Sequence, residues 1–249
     1  MDYETPLTEE EREEIVEIYR DLRVTDVSDG LDFYGFGYGL NRMSPEIEPL
    51  YRDMESFDHR IVGFAYTMRF LPTNRRRNLP DELGFEPVTE WRNELYEKEA
   101  MFPHEQVSNE IQEHDVIVCE SHDIPTGIFG SMNTFDLVAE GAAGLVTDSG
   151  PRDTDELIKQ EVPVYSKMVN KTITPGRTIF DGIQIPVNIS GSLVRPEDVI
   201  VADGDGVVVV PIEIAKRVGE AARAEQQDDQ EARRELYEKA GLEPDFTLE

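Results

Sequence analysis

Cysteine and positive charge are both scarce in this chain of 249 residues. It holds one cysteine, Cys119, and 24 Lys and Arg residues against 53 Asp and Glu residues, which gives a net charge of −29. A single cysteine excludes an internal disulfide framework and a cysteine-rich zinc site. A surface this acidic repels phosphate, which excludes a general nucleic-acid binder.

Long apolar runs are also missing. No segment approaches the roughly 18 to 20 apolar residues that a membrane span needs. The N-terminus, MDYETPLTEEEREE, is acidic where a secretory signal is basic and then apolar. We therefore expect a soluble, cytoplasmic protein that has neither a membrane nor a nucleic acid as its partner.

Lysine is the rarer of the two basic residues, with six lysines against eighteen arginines. This bias, with acid spread over the whole length, resembles proteins of halophilic archaea that accumulate salt. At about 1 M salt the Debye length is only about 3 Å, which screens the self-repulsion of such a chain. An acidic mesophilic protein is the alternative. The halophilic interpretation relates the acid excess to the solvent and not to a ligand.

The order of patterns predicts three parts. Thr8 and Glu11 have the spacing of a capping box at the start of a helix that reaches about Leu22, and the turn formers TDVSDGLDFYG follow it. Strand and helix patterns then alternate. The predicted organisation is an N-terminal helix at 1–22, an α/β domain at 23–215 with an insertion at about 72–104, and a charged helical extension at 216–249. This order favours stacked sheets with helices outside.

One stretch, GSMNTFDLVAEGAAGLVTDSGPRD at 130–153, combines residue types that suit chemistry on an anion. A glycine-bearing loop leads into a helix start, whose free N–H groups suit a carboxylate or phosphate. Arg152 could bind the same anion, and Asp153 could hold a divalent cation. An anion clamp beside a metal is what a 2-oxo acid needs to form an enolate. The alternative is a structural ion pair or a helix cap.

These residues resemble the RraA-like family, which includes class II 4-hydroxy-4-methyl-2-oxoglutarate aldolases and the regulator of ribonuclease activity. Similar stretches are VTDVSDGL, VGFAYTMRF, VPVY and IPVNISGSLVRPEDVIVADGDGVVVVP, which together cover about 23–215. The resemblance implies a swivelling β/β/α sandwich, of the phosphohistidine-domain type, with mixed sheets and flanking helices. It also implies a homotrimer or hexamer with sites near subunit interfaces.

The resemblance further implies roles for particular residues. Arg152 would clamp the carboxylate of pyruvate, and Asp153 would ligate Mg²⁺ or Mn²⁺, so these two are the expected catalytic residues. The substrate would lie against the helix start, where backbone amides complete the cradle. The residues expected to contact it, besides Arg152, are Gly130, Ser131, Met132 and Asn133.

Ser131 is a departure from the family's aldolases, which carry an Asp at this position, 21 residues before the Arg. A hydroxyl can hold a metal-bound water but supplies no charge, so metal binding weakens unless Glu120, Asp123 or Asp148 compensates. The resemblance implies a metal-dependent lyase that releases pyruvate by retro-aldol cleavage or decarboxylates oxaloacetate. The alternative that it leaves open is a non-catalytic regulator that binds a ribonuclease or another protein.

Overall fold

The computed structural model describes residues 7–37, 39, 41–74, 79–98 and 103–248. Of residues 96–98 only the backbone is described, and 75–78 and 99–102, which belong to the predicted insertion, lie outside the description. The helices are α1 Glu9–Tyr19, α2 Val24–Asp32, α3 Phe85–Lys98, α4 His104–Glu110, α5 Ser131–Ala139, α6 Thr154–Lys159 and α7 Ala215–Ala240. None of the helices in this described part is long and apolar enough to cross a bilayer.

An eight-stranded mixed sheet forms the centre of the fold. Its strands are β1 Glu48–Pro49, β2 Ile61–Pro72, β3 Asp115–Glu120, β5 Ala142–Thr147, β7 Val164–Ser166, β8 Thr178–Ile183, β11 Val199–Asp203 and β12 Gly206–Val210. The order is β1-β7-β5-β3-β2-β11-β12, and β8 pairs with the second half of β2. Strands β2, β3, β5 and β7 run parallel to their neighbours in this group. The central strands are therefore covered on both faces, as parallel strands usually are.

Side chains alternate between two cores across this sheet, as the two-residue period of a strand requires. On one face Tyr66, Met68 and Ile117 pack under α4, α5 and α6. On the other face Ala65 and Val116 pack under a hairpin made of β9 Val187–Ile189 and β10 Ser192–Val194. The helices on the first face are the ones that carry the predicted site.

The first, second and last helices cover the β11–β12 end of the sheet, where Tyr19, Leu31 and Val218 share a third core. The capping box predicted for α1 is confirmed, because Thr8 accepts a hydrogen bond from the N–H of Glu11 and donates one to its carboxylate. The long helix predicted near the C-terminus is confirmed as α7.

The prediction of a turn segment after the first helix is wrong, because TDVSDGLD lies in α2. Gly30 is a packing residue there, since a Cβ at this position would meet the carbonyl oxygen of Val218 at 2.7 Å. The prediction of a mixed α/β fold with flanking helices is confirmed by the topology. The swivelling β/β/α arrangement stays a prediction.

Candidate functional site

Two short parallel strands bring the two halves of the predicted site together. They are β4 Gly127–Phe129 and β6 Gly150–Pro151, and beyond the ladder the N–H of Arg152 donates to the carbonyl of Phe129 at 2.9 Å. Gly130 and Arg152 therefore follow neighbouring strands at the same edge. A Cβ at Gly130 would lie 2.7 Å from Oδ2 of Asp153 and 3.2 Å from Nε of Arg152, so any other residue here displaces the carboxylate of Asp153.

The helix that starts at this edge is α5. Gly130 is its N-cap residue in an extended conformation, and no side chain caps the helix. The first amides of a helix have no acceptor inside the helix, and they carry a partial positive charge. The N–H groups of Met132 and Asn133 are therefore available to an anion.

Arg152 and Asp153 form an ion pair, with Nε of Arg152 donating to Oδ2 of Asp153 at 3.1 Å. Their side chains are 36% and 37% exposed, so neither is locked in the interior. Oδ1 of Asp153 accepts no hydrogen bond from a described residue. Asp153 also has a left-handed backbone, with φ 57°, a conformation that Asp adopts more readily than most residues and that often marks functional positions.

These groups line an open cleft of about 450 Å³. Of the residues predicted to bind substrate or metal, the cleft walls include Gly130, Met132, Asn133, Arg152 and Asp153. The predicted insertion adds walls of its own, namely Arg92, Asn93 and His104. The structure thus brings the predicted residues together around one opening, and it adds cationic groups that the sequence analysis did not assign to the site.

Ser131 is the predicted residue that does not line the cleft. Its side chain is buried, and its hydroxyl donates a short hydrogen bond to the carboxylate of Glu156. Glu156 lies on α6, one helical turn after Asp153. The sequence analysis missed it, although an acid three residues after Asp153 on a predicted helix lies on the same face as that carboxylate.

The three acids that the sequence suggested as substitutes lie elsewhere. Glu120, Asp123 and Asp148 line a separate cleft, where Lys167 bonds Asp123 at 3.0 Å. Asp148 accepts hydrogen bonds from the backbone and hydroxyl of Ser121, and burial raises the pKa of its carboxyl. The walls of that cleft do not include Asp153, and compensation for Ser131 by one of these acids stays a prediction.

His104 reaches the cleft from the start of α4, where its Nε2 lies 2.9 Å from a carboxylate oxygen of Asp136. The sequence analysis identified no role for this histidine, because its partner lies 32 residues away on α5. Its imidazole, held by this carboxylate at the cleft wall, carries ring nitrogens that donate or accept hydrogen bonds. His104 is therefore a further polar group for a ligand in this cleft.

The oxygen donors near Asp153 suit a hard divalent cation. Mg²⁺ binds through one or two carboxylates and keeps several waters, so one free carboxylate oxygen with a hydroxyl and a second acid nearby fits its needs. The described part of the chain has no group of three or more His, Cys, Asp or Glu side chains that could hold a metal by itself. The fit is to a hydrated ion with few protein ligands.

A comparison with known families matches residues 24–209 to the family described as RraA-like, Aldolase/RraA. This match covers well over half of the chain and includes β4, α5, β6 and the Arg152–Asp153 turn. It begins at α2 and ends before α7.

Individual relatives are more distant. A Halalkalibacterium halodurans protein provisionally named 4-hydroxy-4-methyl-2-oxoglutarate aldolase is 26% identical over 220 residues, covering 88% of this chain and 86% of its own length. Protein DlpA of Legionella pneumophila is 25% identical over 187 residues, and the match spans 75% of this chain but only 26% of DlpA. The crystal structure of Streptomyces coelicolor RraAS2, described as an unusual member of the RNase ES inhibitor RraA family, superposes with a TM-score of 0.68 at 22% identity. That superposition covers 93% of this chain and 98% of RraAS2, and it establishes similarity of fold.

Proposed function

Because the chain belongs to the RraA-like (Aldolase/RraA) family, we propose that it is a metal-dependent lyase acting on 2-oxo acids. The reaction is retro-aldol cleavage of a 4-hydroxy-2-oxo acid to pyruvate, or decarboxylation of oxaloacetate. The observation that supports it most is the ion pair of Arg152 and Asp153, half exposed in an open cleft at the start of α5. The aldolase name of the Halalkalibacterium halodurans relative supports the same reaction class.

Binding of the substrate follows from the charges of the cleft. The substrate carboxylate lies against the guanidinium of Arg152 and the amides of Met132 and Asn133, which together give charge-assisted hydrogen bonds. This contact fixes the 2-oxo group near Asp153. Arg92 supplies a further positive charge for the second carboxylate of a dicarboxylate such as 4-hydroxy-4-methyl-2-oxoglutarate.

Mg²⁺ or Mn²⁺, held by Asp153 with Ser131 and Glu156 behind it, would supply a Lewis acid for the 2-oxo group. In either reaction a bond to C3 of the substrate breaks, and its electron pair moves into the pyruvate enolate. The amides of α5 and the guanidinium of Arg152, which hold the carboxylate of this enolate, are fixed before its negative charge develops and stabilise it without reorganisation.

Two proton movements complete the retro-aldol reaction. The C4 hydroxyl loses a proton as the C3–C4 bond breaks, and C3 of the enolate gains one afterwards. His104, paired with Asp136 at the cleft wall, is positioned to exchange protons there. In decarboxylation the first transfer is absent, since CO₂ leaves without a proton.

A coupled assay for pyruvate tests the proposal. With Mg²⁺ or Mn²⁺ in high salt, the wild-type chain should release pyruvate from 4-hydroxy-4-methyl-2-oxoglutarate or oxaloacetate. Arg152→Ala should lower kcat/KM by at least 100-fold, because a charge-assisted contact to the substrate carboxylate and the orientation that it gives are lost. Arg20→Ala is a matched control, since this exposed arginine lies on α1 and pairs with Glu13 and Glu17, away from the cleft walls.

The second candidate is a non-catalytic regulator that binds a ribonuclease or another protein. Ser131 in the place of an acid favours this function. Among the described residues that line the cleft, Asp153 is then the one carboxylate that can bind a cation. Absence of turnover of every 2-oxo acid tested, with Mn²⁺ still bound weakly at Asp153, would support this function over the lyase.

The exposed apolar side chains of α5 support a homotrimer or hexamer. Met132 is 80% exposed and Phe135 is 49% exposed, and both lie beside the cleft on one helix. Large apolar groups on a surface mark contacts with another chain. Light scattering should give about 85 kDa, three times 28.3 kDa, or twice that mass for a hexamer.

A further inference from the structure

A further cleft, separate from the two described above, lies between α7 and the loop before β2. It has a volume of about 620 Å³, and four arginines line it: Arg23, Arg60, Arg223 and Arg233. Two of them belong to α7, and the 3-10 helix Phe246–Leu248 closes one side. Residues after 209 lie outside the family match, so this cleft is built largely by the chain's own extension.

Two of the four guanidiniums have partners. Arg23 pairs with Asp26 and with Asp229, and Arg223 donates to the carbonyl of Ile18 at 2.8 Å. Asp21 and Asp229 are the acids in the cleft wall, so the four arginines leave an excess of positive charge there.

Arg60 and Arg233 form no ion pair with a carboxylate in the described part of the chain. Both side chains line the same cleft. The cleft therefore holds two guanidiniums without a direct carboxylate partner among the described residues, on a protein with 53 acids and 24 basic residues.

Arg60 and its neighbour Phe57 have unusual contacts and an unusual backbone conformation. Its guanidinium lies 4.1 Å from the ring centroid of Phe57, and its Nε is buried with no hydrogen-bond partner among the described residues. Phe57 itself has a left-handed backbone with φ 61°, which is costly for a bulky residue. Strain of this kind and a buried donor without an acceptor both persist mainly where function requires them.

We propose that this cleft binds a small, multiply charged anion that carries phosphate or carboxylate groups. Arg60 and Arg233 contribute guanidiniums that form no ion pair with a described carboxylate, and such groups match phosphate and carboxylate in bidentate geometry. The volume exceeds that of a single phosphate ion and lies in the range of ligand sites. The rings of Phe57 and Phe246, 6.2 Å apart, form the apolar wall on which the body of the ligand rests.

Calorimetric titration of the full chain with pyrophosphate and with citrate tests the proposal, at constant ionic strength set with chloride. At least one of the two should bind with a stoichiometry of one per chain. Arg60→Gln and Arg233→Gln should each weaken that binding by about 10-fold or more, since each removes a charged hydrogen-bond donor. The better probe identifies the chemical class, phosphate or carboxylate.

The matched control is Arg217→Gln, because this arginine lies on α7 but stacks over Tyr34 outside the cleft. It should bind the anion like the wild type. Equal binding by all three variants, or no binding of either anion, would overturn the proposal. Arg233→Gln keeps the test valid if Arg60→Gln does not fold.

The cleft is independent of the lyase site. Arg152→Ala should abolish pyruvate release and leave the titration with pyrophosphate or citrate unchanged. If that variant loses the anion as well, the binding belongs to the α5 cleft and the second site does not exist.

Discussion

Gly130 gives the sharpest test of the site, because its missing side chain leaves space for Asp153. In Gly130→Ala the new Cβ would lie 2.7 Å from Oδ2 of Asp153 and 3.2 Å from Nε of Arg152. The backbone of Gly130 is extended, at φ −103° and ψ 171°, so alanine fits it without strain. The substitution therefore acts on the ion pair and not on the chain path.

The size of the effect follows from these distances. An ordinary contact begins at 3.4 Å, so the carboxylate of Asp153 must move by about 0.7 Å. Displacements of that order at a reacting centre reduce rates by about 10-fold to 100-fold. Alanine is also a poorer N-cap than glycine, which costs about 1 kcal/mol. For a chain of this size the unfolding midpoint should fall by about 2 to 4 °C.

The assay is kcat/KM for pyruvate release, measured beside thermal unfolding of the same samples. Gly204→Ala is the control, because a Cβ there would meet only the side chain of Arg52, at 3.7 Å. Its activity should equal that of the wild type. If Gly130→Ala keeps full activity while remaining folded, Asp153 does not act where its ion pair with Arg152 places it.

Four further outcomes are expected. Arg12→Ala should lower the free energy of unfolding in urea by about 3 to 5 kcal/mol, since Arg12 is 4% exposed and lies 2.6 Å from buried Asp115. Arg20→Ala, which removes an exposed ion pair, should lower it by less than about 1 kcal/mol. Burial raises the pKa of Asp198 from 3.8 to about 6, so the folded chain binds the proton of this carboxyl more tightly than the unfolded chain. The free energy of unfolding therefore falls as the pH rises from about 4 to about 6. Lowering the pH from about 7 to about 4.5 should add about 2 kcal/mol through this group, a gain that Asp198→Asn should lack in urea titrations at the two pH values. Ser131→Asp should tighten Mn²⁺ binding about 10-fold by calorimetry, and an unchanged affinity would argue against metal at this position. The net charge of −29 predicts that the unfolding midpoint rises steeply between about 0.1 and 2 M KCl, and a flat profile would contradict the halophilic interpretation.

Local signals in the sequence were sufficient for some elements. The capping box of α1 depends on neighbouring residues, and it was predicted at the right place. Helix α2 was not predicted, because its glycine is explained by packing against another helix. Gly30 lets α2 approach α7, and nothing within TDVSDGLD reveals that contact.

The candidate site, too, could be predicted only in part. Its composition could be predicted, since a glycine loop, a helix start and an Arg-Asp turn are visible in 130–153. Its assembly could not, because β4 and β6 are only three and two residues long and carry no periodic pattern. Glu156 was missed because its contact with Ser131 joins two helices across 25 residues of sequence. The walls at Arg92 and His104 come from an insertion with no local link to the site.

A crystal structure of the chain with Mn²⁺ and oxalate, an analogue of the pyruvate enolate, would show whether Arg152 and Asp153 form the lyase site. We expect anomalous density for Mn²⁺ at about 2.0 to 2.2 Å from a carboxylate oxygen of Asp153, with oxalate on the guanidinium of Arg152 and the amides at the start of α5. Manganese and oxalate bound elsewhere, with the α5 cleft holding only water, would contradict it.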